Sequence, residues 1–136
     1  MLLLTGFEPF DKWEANPSWE VARALDGLTI GGVRVAARRL PVDWERSWPA
    51  LLEAIEETHP RWVLMLGQGG TSFISVETRG LNTCVPRPDN AGRLPNAEMI
   101  EAGGLGELAA TLPVGSIVES IRRLGLPVET SDDAGG

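Results

Sequence analysis

The chain has 136 residues, a formal charge of −7, and 43% apolar and 23% charged residues. That length suits one domain with a real core and leaves too little for two; five Trp and three Phe supply enough to bury to exclude disorder over most of it. The acidic balance, with only Arg38–Arg39 and Arg122–Arg123 as adjacent cations, excludes a basic stripe and with it nucleic acid as a partner.

In chain order, Met1–Thr5 is a continuous apolar run ended by Gly6, as expected of a strand buried on both faces. It lacks a basic flank and is far too short for a signal peptide or a membrane span. A loop over Gly6–Asn16 follows, with Phe7, Pro9, Phe10 and Trp13 on it. Asn16 then reads as an N-cap and Pro17 as the first residue of a helix whose apolar stripe is Trp19, Val21, Ala22 and Leu25, ended by Gly27. Val33–Val42 reads as a second strand. Asp43 is positioned to cap a helix reaching Thr58, with Trp44, Trp48, Leu51, Leu52 and Ile55 on one face. Arg61–Gly67 is a third buried strand, and Phe73–Asn82 alternates like a strand with one wetter face. Arg87–Gly104 is rich in Pro and Gly and reads as a functional loop or lid. Val114–Leu124 is an amphipathic helix, followed by Gly125 and a last strand. Strands alternating with helices predict a single α/β domain with an open, mostly parallel sheet and helices on both faces, in which sites gather at the carboxyl ends of the strands.

Four places could carry chemistry. The turn in LMLGQGGTS has neither the GxGxxG nor the GK[ST] spacing that a dinucleotide or a P-loop needs; it reads as a plain turn or as one that presents Gln68, whose amide both donates and accepts. The lone Cys84 and His59 could form a thiol–imidazole pair, but His59 precedes a strand and belongs at the opposite edge from the expected site, which favours a structural cysteine and a solvated histidine. Glu77, among apolar and small residues, is either an exposed strand carboxylate, which the pattern alone favours, or an acid that orients an imidazole. Phe7 and Phe10 either pack the loop or sandwich a small flat ligand. One cysteine permits no internal disulfide and suits a reducing, cytoplasmic setting.

Taken in order, the segments TGFEPF, NPSWE, RRLPV, VLMLGQGG, SVETRGLN, PDNAG and ATLPVGSIVESIRRLGLPVETSDDAG resemble the type I pyroglutamyl peptidases, also called pyrrolidone carboxyl peptidases, along essentially the whole chain. The resemblance implies a cysteine peptidase that removes amino-terminal pyroglutamyl residues from peptides, with a Cys–His–Glu arrangement, no metal or cofactor, and a homotetramer as the common assembly. By position it implies that Glu77 is the acid orienting the histidine, that Phe7 and Phe10 hold the lactam with Gln68 as its amide partner, that Asn16 braces the ring-bearing loop, and that Arg87 belongs to the substrate pocket or oxyanion region. A neutral lactam calls for an apolar slot with a few amide hydrogen bonds, which agrees with these residue types.

There are departures. Asp11 and Lys12 stand where the family has glycines, the Gly-rich turn and the stretch after Asn82 are each shorter than the family's, and Cys84 matches no catalytic position. The resemblance puts the nucleophilic cysteine at a helix start just beyond SDDAGG, where the helix dipole favours the thiolate, and the histidine further on. Residues 1–136 are thus expected to be a pyroglutamyl peptidase-like domain without its C-terminal third. The alternative is an inactive relative that at most binds pyroglutamyl-like ligands; a phosphate-binding α/β module is a distant third.

Overall fold

In a computed structural model that describes residues 1–133, the chain forms two compact units. The first consists of Met1–Gln68 with Arg87–Leu94, and the second of residues 69–86 with the described residues from 95 on.

The first unit is a three-layer α/β arrangement. Its elements are β1 (Leu2–Phe7), α1 (Pro17–Leu25), β2 (Thr29–Ile30), β3 (Val33–Leu40), α2 (Ser47–Thr58) and β4 (Trp62–Met65). The sheet order is β2-β3-β1-β4, with β1 parallel to both β3 and β4 and β2 antiparallel to β3. Alternation along β1 sends successive side chains to opposite layers. Leu3, with Leu40, packs under Leu51 and Ala54 of α2, while Leu4, with Val35 and Ala37, packs under Ala22 of α1. Leu3 and Ala22 have no solvent exposure at all.

The loop predicted to begin at Gly6 begins later, because β1 runs on to Phe7 in register with Leu40. Gly6 is essential at that point. A β-carbon there would overlap the carbonyl of Ser18 and the amide of Trp19, so the strand lies directly against the first turn of α1. The predicted cap is present: Asn16 accepts from the Ser18 amide at 3.0 Å, and Pro17 occupies the first turn. The hairpin strand β2 was not anticipated. Its two-residue turn is Gly31–Gly32, with φ of 57° and 80°, a pair of left-handed positions that glycine alone adopts freely.

Helix α2 starts later and faces differently than expected. Asp43 Oδ1 accepts from the amides of Glu45 and Arg46, both at 2.9 Å, and so caps a turn that leads into the helix at Ser47. At about 100° per residue, the inward face centres on Ser47, Leu51, Ala54 and Thr58. Trp48 and Leu52 lie on its flank and are 62% and 39% exposed. Trp44 stands outside the helix; its indole N–H donates to the Arg87 carbonyl at 2.8 Å.

The second unit contains β5 (Ile74–Glu77), β6 (Arg79–Leu81), β7 (Glu107–Ala109), α3 (Val114–Arg123) and β8 (Val128–Ser131). β5 pairs in parallel with β8, and β6 pairs antiparallel with β7. The single strand expected over Phe73–Asn82 is therefore two. Thr78 is the pivot: its amide and hydroxyl both donate to the Ser131 carbonyl, at 2.8 and 2.9 Å, while its own carbonyl accepts from Ala110 at 2.8 Å. α3 lies against β5 and β8, with Val118 and Val128 buried. The segment between Arg87 and Gly104 forms no helix or strand, as expected, but residues 87–94 belong to the first unit and those from 95 on to the second. None of the helices among the described residues is long and apolar enough to cross a membrane.

The Gly6 contact makes a direct forecast. Gly6→Ala should lower stability by about 3 kcal/mol or more, since backbone cannot move aside as a flexible side chain can. Urea unfolding of the two proteins measures it, and a change below about 1 kcal/mol would mean that the strand and helix separate easily.

Candidate active site

Because β1, β3 and β4 are parallel, their carboxyl ends share one edge, and there the first unit gathers Phe7, Phe10, Asn16, Gln68 and the chain around Arg87. Asn16 is almost wholly buried and uses both ends of its amide. Its oxygen accepts from the Ser18 amide and, at 2.7 Å, from the Ser18 hydroxyl, while its Nδ2 donates to the Glu8 carbonyl at 3.1 Å. Ser18 Oγ in turn accepts from the Phe7 amide at 3.0 Å. One residue thus both caps α1 and holds the backbone of the ring-bearing loop at Glu8.

Both rings are half-buried. Phe7 packs against the Leu3–Leu40–Leu51–Ala54 cluster, so it serves the core; Phe10 is in neither core cluster of the described residues. Gln68, at the end of the first unit, keeps a buried Oε1 with no hydrogen-bond partner among the described residues. Arg87 exposes its side chain and contributes its carbonyl, to Trp44. His59 ends α2 in the left-handed conformation, φ 45°, exposed at the amino edge of the sheet, where Arg61 bonds the Met1 carbonyl. That edge is opposite the site.

Sequence reasoning missed three contributors. Ser18 is one. The second is Glu8, whose Oε1 accepts from the Val42 amide at 3.0 Å and from Asn90 Nδ2 at 2.9 Å. The third is the Asp89–Arg93 knot. Asp89 accepts the amides of Arg93 (2.8 Å), Ala91 (2.9 Å) and Trp44 (3.2 Å), and Arg93 also pairs with Asp43 at 2.5 Å and Glu45 at 2.8 Å. Burial works to raise the Asp89 pKa, but the three amides and the Arg93 charge outweigh it and hold the carboxyl below its ordinary value. Burial likewise opposes the charge on Arg93, and Asp43, Glu45 and Asp89 more than compensate, so its pKa is raised. Glu8 with Val42 and Asn90, and Asp89 with Trp44, lie 34 to 82 residues apart in sequence, beyond any local spacing signal.

In the second unit, Glu77 is the last residue of β5 and pairs in register with Ser131, the last residue of β8. It is half-buried, and its Oε2 is buried without a partner among the described residues. The Gly-rich turn leads into β5 and not into a helix, so it builds neither dinucleotide nor P-loop geometry. Cys84 is half-buried, with its amide bonded to the Glu98 carbonyl at 2.8 Å. The residues after Asp133, which include the end of the SDDAGG turn, lie outside the described residues.

The sequence matches the family model described as pyroglutamyl peptidase over residues 1–136. The chain belongs to that family. A pyrrolidone-carboxylate peptidase of Chromobacterium violaceum is 45% identical over 136 residues, covering 98% of this chain and 65% of the relative. One of Klebsiella pneumoniae is also 45% identical, covering 98% and 64%. The chain thus spans less than two thirds of these relatives. The crystal structure of pyroglutamyl peptidase I from Bacillus amyloliquefaciens superposes with a TM-score of 0.94 at 36% identity, covering 98% of this chain and 66% of that one. A mutant pyrrolidone carboxyl peptidase from P. furiosus gives 0.94 at 35% identity, covering 98% and 65%.

The lowered Asp89 pKa fixes a pH dependence. A depressed carboxyl stabilises the fold above its unfolded value, about 3.9, and that contribution is lost as pH falls through the folded value. Asp89→Asn should therefore lower the Tm at pH 7, and the gap to the wild type should close below about pH 4. Melting curves across pH test it; a gap independent of pH would remove the charge from the argument.

Proposed function

We propose that residues 1–136 form the lactam pocket and the acid of a peptidase that cleaves amino-terminal pyroglutamyl residues from peptides. One observation carries this reading beyond family membership: apart from the Thr5 hydroxyl inside β1, the buried side-chain polar atoms without a partner among the described residues are Gln68 Oε1 and Glu77 Oε2. An unmet buried acceptor costs about 1–3 kcal/mol, so a donor is expected for each. The lactam N–H of a pyroglutamyl group suits Gln68, between the rings of Phe7 and Phe10, and an imidazole N–H suits Glu77. Asn16 braces the loop, and Arg87 is proposed for the rim of the pocket.

The chemistry on this reading is attack by a thiolate on the pyroglutamyl carbonyl. The scissile C–N bond breaks as the amine leaves with a proton from the imidazolium, and water then hydrolyses the acyl-enzyme. Glu77 holds the imidazole in the tautomer that accepts the thiol proton, the role of the carboxylate in triads generally. The resemblance assigns the thiol and imidazole to residues beyond Gly136. Because β8 ends beside Glu77, the chain that continues from it starts next to the acid. No cofactor is invoked. A homo-oligomer in a reducing, cytoplasmic setting completes the proposal.

The test has two arms. The purified protein should hydrolyse a pyroglutamyl-linked chromogenic amide and lose that activity to iodoacetamide, and its intact mass states whether residues beyond Gly136 are present. Independently, L-pyroglutamate should raise the Tm, and Phe10→Ala or Gln68→Ala should each weaken binding by about tenfold or more. Binding without turnover would make the protein an inactive relative. If neither variant changes the binding of L-pyroglutamate, the pocket is assigned wrongly.

A further inference from the structure

Phe10 follows a dipeptide that is held from several directions at once. Between the two rings lie Glu8 and Pro9, and this dipeptide is tied on three sides. Asn16 holds the Glu8 carbonyl from α1. The exit of β3 holds Glu8 twice, through the Glu8 amide on the Leu40 carbonyl at 2.9 Å and the Val42 amide on Glu8 Oε1 at 3.0 Å. The third side is Asn90. Its Nδ2 bonds both Glu8 Oε1 and the Pro9 carbonyl, each at 2.9 Å, and its amide bonds the Val42 carbonyl at 3.0 Å. The Pro9 carbonyl is the last backbone group before Phe10, so whatever fixes it fixes where the Phe10 ring begins.

Asn90 is itself immobilised. It directly follows Asp89, which is clamped by three amides and Arg93, and the Arg87 carbonyl is held by the Trp44 indole. A segment tied this firmly at both flanks does not behave as a lid. It behaves as a buttress. We infer that Asn90, acting through the Glu8 carboxylate and the Pro9 carbonyl, is a positioning residue that sets the place of the Phe10 ring and hence the width of the ligand slot. The inference deepens the pocket reading above and rests on it for the ligand, though not for the placement of the ring.

The geometry dictates which changes matter. Asn90→Ala removes both donations at once. Glu8→Ala removes the one oxygen, Oε1, that accepts from both the Val42 amide and Asn90 Nδ2, so it breaks the same link from the other end. Two residues acting through one link give non-additive effects in the double variant.

The experiment uses the purified protein with L-pyroglutamate as the probe. It records three quantities for the wild type, Asn90→Ala, Glu8→Ala and the pair: the NMR signals of the Phe10 ring, the affinity by calorimetry, and the Tm. Both single variants should shift or broaden the Phe10 signals and weaken binding by about threefold to tenfold, and the double variant should be no worse than the weaker single. A purely structural role would lower the Tm while leaving the affinity of the folded fraction and the Phe10 signals unchanged, and that result overturns the inference. If the wild type does not bind L-pyroglutamate, the pocket reading fails by itself. The Phe10 signals then decide the buttress: movement on Asn90→Ala upholds it and unchanged signals end it.

Discussion

The contact on which the first unit depends is the one between Gly6 and the opening turn of α1. It is a backbone-to-backbone approach with no room for a side chain, so it fixes the distance and angle between the central strand and the helix above it. Once they are that close, Ser18 reaches the Phe7 amide and Asn16 reaches the Glu8 carbonyl. A helix N-terminus leaves backbone amides without partners; here the cap answers one of them and at the same moment fastens the loop that leaves the strand. Packing follows the same geometry, since the alternation of β1 then delivers Leu4 to α1 and Leu3 to α2.

Beyond the sheet edge, polar bonds take over from packing. The ring-bearing loop and the 87–94 segment are tied by bonds of Asn16, Glu8, Asp89 and Asn90. The magnitudes favour the buried members. An exposed ion pair such as Arg23–Glu20 or Arg123–Glu119 contributes at most about 1 kcal/mol, whereas removing one partner from a buried, fully bonded group leaves the other unmet at about 1–3 kcal/mol. Asn16 and Asp89 are the two buried polar residues with the most bonds at this edge, and the backbone amides of Arg93, Trp44 and Ala91, more than the Arg93 charge, keep Asp89 ionised where burial would otherwise discourage it.

Local signals were legible where one element satisfied its own chemistry. The apolar run of β1, the Asn16–Pro17 start of α1, the stripe of α3 and the final strand all read correctly, and alternation of elements gave the parallel sheet. What stayed hidden needed a distant partner. The start of α2 moved because Asp43 caps a turn, and its face rotated because the helix answers to Leu3 and Leu40, not to its own most apolar stripe. The break comes at Thr78, whose amide and hydroxyl bond Ser131 while its carbonyl accepts from Ala110. In the site, Asn16 was legible as a cap, but Glu8 and Asn90 recognise each other across 82 residues, and no spacing rule reaches that far.

The two unmet acceptors follow from the same physics. Folding tends to pair every buried polar atom, and this chain does so thoroughly at Asn16 and Asp89, using both oxygens or both ends of the amide. Three atoms break that habit among the described residues: the Thr5 hydroxyl inside β1, Gln68 Oε1 and Glu77 Oε2; the last two stand near where a strand ends, Gln68 three residues past β4 and Glu77 as the last residue of β5. Strand ends in parallel sheets are where loops can bring a ligand or a further side chain to meet them. A fold selected for stability alone would gain by replacing either group with an apolar one of similar size. Retaining an amide and a carboxylate there is consistent with partners that arrive from outside the described residues, and the proposed lactam and imidazole each bring one N–H.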